Sequence, residues 1–145
     1  CGDIADKSDQ CLWFGSMYGI DCTKEGAQAY YDSLIELYTQ WGVDFIKADD
    51  MGTWDGDGLN SPLRTDELEA LATSIAKFGN RIVLSVSPGA AYVGNAYHLS
   101  RHAHAWRISC DFWDDWTALK RQFPRCAAWA KRHINGHWPD ADMLP

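Results

Sequence analysis

From Lys24 to Trp41 the apolar residues Ala27, Tyr30, Tyr31, Leu34, Ile35, Tyr38 and Trp41 recur every three or four positions. That spacing predicts a helix with one buried face, which Gly42 ends. Val43 to Ala48 is a short apolar run rich in strand formers, and it gives way to Asp49, Asp50 and a glycine-rich loop. A strand opening into a loop is the reading. A second helix is expected from about Asp66 to Phe78, with Asp66 and Glu69 spaced as a capping box, Leu68, Leu71, Ala72 and Ile75 inward, and Gly79 beyond its end. The next strand is Arg81 to Val86, before Ser87-Pro88-Gly89. A weaker helix follows over about Gly94 to His104, then a strand over about Trp106 to Cys110. A helical pair broken before Pro124 runs to about His133, and His137 to Leu144 reads as a fourth strand and its loop.

Strand and helix alternate throughout, which predicts an α/β fold of parallel strands joined by right-handed crossovers beneath covering helices. A doubly wound sheet and part of an eight-stranded barrel both satisfy that pattern. The 145 residues fall well short of the ~250 of a complete barrel. The chain starts at Cys1, without a methionine, and is read as an excised segment of one domain. It carries no internal repeat, low-complexity stretch or linker-like run.

Composition narrows the partners. With 46% hydrophobic residues the chain can bury a core, so disorder is excluded. A formal net charge of −7 disfavours nucleic acid and anionic membrane surfaces, both of which select basic faces, and a neutral small molecule fits better. No apolar run approaches the roughly 20 residues that cross a bilayer, and no signal-peptide pattern opens the chain. The five cysteines, Cys1, Cys11, Cys22, Cys110 and Cys126, are odd in number and form no CxxC pair, so at least one should be a free thiol.

In parallel α/β folds reactive groups gather where strands open into loops at their carboxyl ends. Acids occupy that place in three of the four units: Asp49 and Asp50, Asp111, and Asp140 with Asp142. One such acid alone is more simply a helix cap or a solvated loop residue. Three on one rim suit glycosidic cleavage, in which one carboxylate attacks or activates water while another protonates the leaving oxygen. Lys47 lies two residues before Asp49, on the same strand face, where its cation could hold Asp49 ionised. Asp111 follows an apolar, tryptophan-rich stretch, whose desolvation would keep it protonated as an acid.

Four segments resemble glycoside hydrolase family 27, the melibiases. YYDSLIELYTQWGVDFIKADDM resembles the family's nucleophile segment, with Lys47, Ala48 and Asp49 in the Lys-x-Asp triplet. AWRISCDFWDDW is similar to the acid/base segment, with Arg107 four residues before Asp111. GHWPDADML is similar to a late-strand segment, carried here by Trp138, Asp140, Asp142, Met143 and Leu144, and RIVLSVSPG lies where the family has its sugar-recognition loop. The resemblance implies a partial (β/α)8 TIM barrel, about its fourth to seventh strands, spanning residues 1–145 with no second domain. It implies double-displacement hydrolysis of terminal α-D-galactosides with retained configuration and no cofactor. Asp49 would be the nucleophile and Asp111 the acid/base, while Lys47, Arg107 and Asp142 would bind or line the sugar site. Ser87 and Ala90 match the family's roomier loop, which admits N-acetylgalactosamine, although Pro88-Gly89 replaces the Trp-Pro usual between them. Met51 stands where many relatives have a disulfide cysteine, so that staple is expected to be absent.

Other signals are weaker. His98 and His102 are four apart on a helix with His104 nearby, but a solvated histidine face explains them better than a metal site, since no HExxH pattern or acidic ligand shares their spacing. No GxxxxGK[ST] loop supports a nucleotide beside Asp49 and Asp50. Among the eight tryptophans, Trp41 and Trp129 read as core, and Trp13, Trp54 and Trp138 as candidates to touch sugar. A carbohydrate-binding but catalytically inert segment and a metal-dependent hydrolase are the competing classes.

Overall fold

The computed structural model describes residues 2–53, 61–132 and 134–142. Cys1, Trp54, His133, Met143 and Leu144, named above, lie outside them. The chain divides into two compact units, Cys1–Phe45 with Thr65–Val83, and Ile46–Arg64 with Leu84–Pro145.

In the first unit, strands β1 (Ala5–Gln10) and β2 (Tyr18–Ile20) pair antiparallel, with an irregularity between Asp6 and Gln10. The polar run ADKSDQ has no apolar alternation, which is why the sequence pattern misses this hairpin. Helix α1 (Ala27–Gln40) packs on α2 (Thr65–Lys77), with Ile35 and Leu68 fully buried. Their seam is also polar. Gln28 Nε2 donates to Ala70 O and Ser74 Oγ, Ser74 Oγ donates to Asp32, and Lys77 reaches Asp32 at 2.6 Å. Lys77 and Ser74 hold the Asp32 carboxyl below its ordinary range. Burial, then Glu67, which accepts from Tyr31 Oη at 2.7 Å, pushes the Tyr31 hydroxyl far above the ordinary phenol range.

Two expectations change here. Asp66 lies inside the first turn of α2 and so does not start a capping box, although with Glu67 it still sets negative charge against the helix N-terminus. Trp41 caps α1 with two-thirds of its surface exposed, so it is not a core residue.

The second unit holds most of a four-stranded sheet in the order β3-β4-β5-β6. Its strands are β3 (Phe45–Asp49), β4 (Val83–Ser87), β5 (Ala105–Arg107) and β6 (Trp138–Asp140). β4 pairs with β5, and β5 with β6, in parallel register. Val83 N–H donates to Asp44 O at one end and Met51 N–H to Ser87 O at the other, the sequence of contacts expected of parallel β3 and β4. Neighbours in the sheet are neighbours in the chain, with no reversal, which departs from the switch point of a doubly wound sheet. A short 3₁₀ turn, Val93–Asn95, and α3 (Ala96–His102) join β4 to β5, and α4 (Trp116–Ala130) joins β5 to β6. Leu84, Val86, Leu99, Trp106, Ile108, Phe112 and Trp129 form the core of this unit, with the Trp106 and Trp129 rings 5.7 Å apart.

The third strand is shorter than its apolar run suggested, because the chain leaves the sheet after Arg107. The helical pair expected around Pro124 is one continuous helix. Asp115 caps it, accepting from Ala118 N–H at 2.8 Å, and Pro124 sits exposed inside it, where its ring omits one backbone hydrogen bond without ending the helix.

Candidate active site

The acids singled out in the sequence follow the carboxyl ends of β3, β5 and β6, all in the second unit. Asp49 is the last residue of β3 and is exposed. Its Oδ1 accepts the N–H of Asp50 at 2.9 Å. Asp50 adopts a left-handed φ of 54°, which an aspartate tolerates better than most residues and which turns the chain sharply out of the strand. Its own carboxylate meets Arg64 at 3.4 Å. Lys47 shares the strand face of Asp49 and is exposed, but among the described residues the two form no ion pair.

Close packing supports this rim. A Cβ on Gly52 would stand 2.5 Å from the Pro88 carbonyl oxygen, so only glycine lets the loop after β3 approach the loop after β4. Gly89, at φ 77°, likewise has Ser61 Oγ where a side chain would begin. Ser87 and Ala90, the specificity candidates, are both buried. Ser87 Oγ accepts from Arg107, and the Ala90 carbonyl accepts from Ser61 N–H at 3.1 Å. Met51 is buried beside them, and Cys11, Cys22 and Cys126 are free thiols.

The densest cluster is built on Arg107, the last residue of β5. Its Nη1 donates to Asp111 Oδ1 at 2.9 Å and to Ser87 Oγ at 3.3 Å, and its Nη2 lies 3.0 Å from Asp142 Oδ2. Asp142, at φ 70°, also accepts the N–H of Phe112 at 2.7 Å. Four candidates that lie apart in the sequence, Ser87, Arg107, Asp111 and Asp142, thus form one hydrogen-bonded and ion-paired set. The apolar surroundings expected around Asp111 are not there: its side chain is 60% exposed, and Trp113 and Trp116 turn outward. Its immediate neighbour is the Arg107 cation.

Sequence reasoning missed Arg64, whose side chain is only 8% exposed and which pairs with Asp50. No periodic signal connects residues fourteen apart across a loop. The signal it could have used is a cation in a stretch otherwise read as turn.

The histidines do not form the solvated face expected. His98 and His102 are half-buried, their rings 4.4 Å apart, with His102 Nδ1 donating to the His98 carbonyl. His104 instead sits between strands, its Nδ1 accepting from Leu84 N–H at 3.0 Å while burial, and then His137, lowers its pKa. Among the described residues no three His, Cys, Asp or Glu side chains converge as metal ligands would, and no helix is long and apolar enough to cross a membrane.

A cavity of about 320 Å³ in the first unit is lined by Cys22, Gln28, Asp66 and Glu69, among others. Burial and Glu67 push the Cys22 thiol up to about 11, so it is protonated at neutral pH and no nucleophile. Its carboxylates sit on a helix and not at strand ends.

Parallel strands in unreversed order, joined by helices and opening into acid-bearing loops at their carboxyl ends, define a segment of a (β/α)8 barrel. No protein-family model and no curated protein sequence matches the chain. Solved structures do. A family 27 β-L-arabinopyranosidase from Geobacillus stearothermophilus is 47% identical with a TM-score of 0.88, covering 99% of this chain and 32% of that one. A substituted variant of that enzyme in complex with arabinose matches at 46% and 0.88 over the same shares. A protein from Bacillus halodurans C-125 proposed to be an α-N-acetylgalactosaminidase matches at 44% identity and 0.71, over 99% of this chain and 31% of that one. The chain belongs to glycoside hydrolase family 27, and spans about a third of the length of these relatives.

Proposed function

We propose that the protein containing this chain is a retaining glycosidase that removes terminal sugars of galactose configuration by double displacement. The observation that carries the reading is the set of acids after β3, β5 and β6 on one parallel sheet of family 27 type. Asp49 attacks the anomeric carbon and forms a glycosyl-enzyme intermediate, while Asp111 protonates the departing oxygen. Asp111 then takes a proton from the water that releases the sugar. The exposure of Asp49 and Asp111 suits groups that must meet a ligand, and the ion pair of Asp111 with a buried Arg107 orients it. Lys47, Arg107, Ser87 and Ala90 are the proposed sugar-recognising positions. No cofactor enters this chemistry.

Terminal α-D-galactosides are the substrates the sequence motifs favour. The two arabinopyranosidase structures favour a second reading, since β-L-arabinopyranose has the galactose ring hydroxyls without the hydroxymethyl group. The Bacillus halodurans neighbour and the small residues Ser87 and Ala90 support α-N-acetylgalactosaminides as a third.

The test uses the complete enzyme on a para-nitrophenyl α-D-galactopyranoside, with the β-L-arabinopyranoside and the α-N-acetylgalactosaminide alongside. Asp49→Ala is expected to lower kcat on the best of these on the order of 10³-fold or more. A slow fluorinated glycoside should leave its sugar on the peptide containing Asp49, and the first sugar released should keep the substrate's anomeric configuration. Full activity in Asp49→Ala, or an inverted product, defeats the mechanism.

A further inference from the structure

We infer that Asp142 is a positioning residue, a buried carboxylate that holds Arg107 and the backbone behind Asp111 in place without itself walling the sugar pocket. This rests on the double-displacement reading and deepens it. The side chain of Asp142 is 5% exposed and that of Arg107 7%, whereas Asp111 is 60% exposed. One guanidinium therefore carries a carboxylate on each terminal nitrogen, the inner one shut away from solvent and the outer one open to it.

Asp142 grips the segment 107–112 at both ends. Its Oδ2 lies 3.0 Å from Arg107 Nη2 and 2.7 Å from the N–H of Phe112, the residue directly after Asp111. It is itself held, because its own N–H donates to Asp140 Oδ1 at 2.9 Å. Two more contacts tie the same strand ends together, Ile108 N–H to Asp140 O at 2.8 Å and Ser109 Oγ to Ala141 O at 3.4 Å. A buried carboxylate is costly unless paired and hydrogen-bonded, and here the compensation comes from the two groups whose placement sets the direction of Asp111. Asp142 and Asp111 also compete for one cation, so the charge on the inner acid governs how strongly Arg107 holds the outer one.

Asp142→Asn in the complete enzyme keeps the shape and an acceptor for Phe112 N–H but removes the charge. The expected result is a fall in kcat of roughly 10- to 100-fold with little change in KM, as for a misplaced reacting group. The loss should grow as the leaving group becomes less acidic, and Asp142→Glu, which keeps the charge, should restore much of kcat. A rise in KM with kcat unchanged would make Asp142 a pocket wall and overturn the inference.

A crystal structure of the unsubstituted enzyme with bound sugar decides the matter even where the variants do not fold. Asp142 should stay on Arg107 and Phe112 N–H, beyond hydrogen-bond reach of every sugar hydroxyl, and a direct contact refutes the role. Asp111→Ala is the control. If it is inactive on poor leaving groups while Asp142→Asn behaves like the parent, only the positioning role fails. If Asp111→Ala is fully active there, the underlying mechanism fails instead.

Discussion

Arg107 shows how one side chain converts chain-distant residues into a site. Its planar fork offers donors in fixed directions, which a lysine at the same place could not reproduce: Nη1 donates to Ser87 and Asp111, and Asp142 stands beside Nη2 as its ion-pair partner. His104 is a second residue whose neighbours define its state. Its Nδ1 accepts a backbone N–H, which only the unprotonated imidazole can do, and its pKa is lowered by burial first and His137 second. The unfolded chain then binds more protons than the folded one, so this stabilisation is complete above the ordinary histidine value near 6.5 and is lost as pH falls through the lowered one. The thermal midpoint of the complete enzyme should drop on acidification across that window. In His104→Gln the drop should be smaller; an unchanged dependence would remove His104 as its source.

At the scale of elements, apolar patterning located α1, α2 and the four strands of the parallel sheet within a few residues, most clearly in α1, α2 and β4, whose buried residues leave a regular trace. It failed where burial is not what forms the element. β1 is polar on both faces and owes its pairing to β2. α4 contains a proline and buries only Gln122 and Trp129, so local rules broke it in two while the chain kept one helix. Since Pro124 is exposed, Pro124→Ala restores a backbone hydrogen bond without opening a cavity. It should stabilise the protein by up to about 3 kcal/mol, read as a higher unfolding temperature. A fall in that temperature would mean that the helix needs the proline ring where it stands.

For the whole molecule, the decisive property is the unreversed order of four strands, which gathers their carboxyl ends on one rim. The acidic balance of the chain suits a neutral sugar better than a phosphate-bearing partner. Under the proposed function, the three candidate sugars differ at two positions, the second ring carbon and the hydroxymethyl. One lost or added small group in a pocket changes kcat/KM by about 10- to 200-fold. Measured on the three aryl glycosides, one sugar should therefore lead the others by at least tenfold, and comparable rates on all three would mean that neither position is read.

The amino-acid pattern by itself determined the alternation of strand and helix, the acids at the strand ends, and, through four ordered motifs, the family to which the chain belongs. Those features are local, written in consecutive residues and in spacings of two to four. Tertiary structure alone decided that Arg107 pairs with Asp111 and Asp142 together, that Asp50 meets Arg64, and that Asp111 stands open to solvent among outward-facing tryptophans. Burial and charge pairing depend on which strands become neighbours. A side chain's surroundings exist only once residues dozens of positions apart have been brought to the same edge of the sheet.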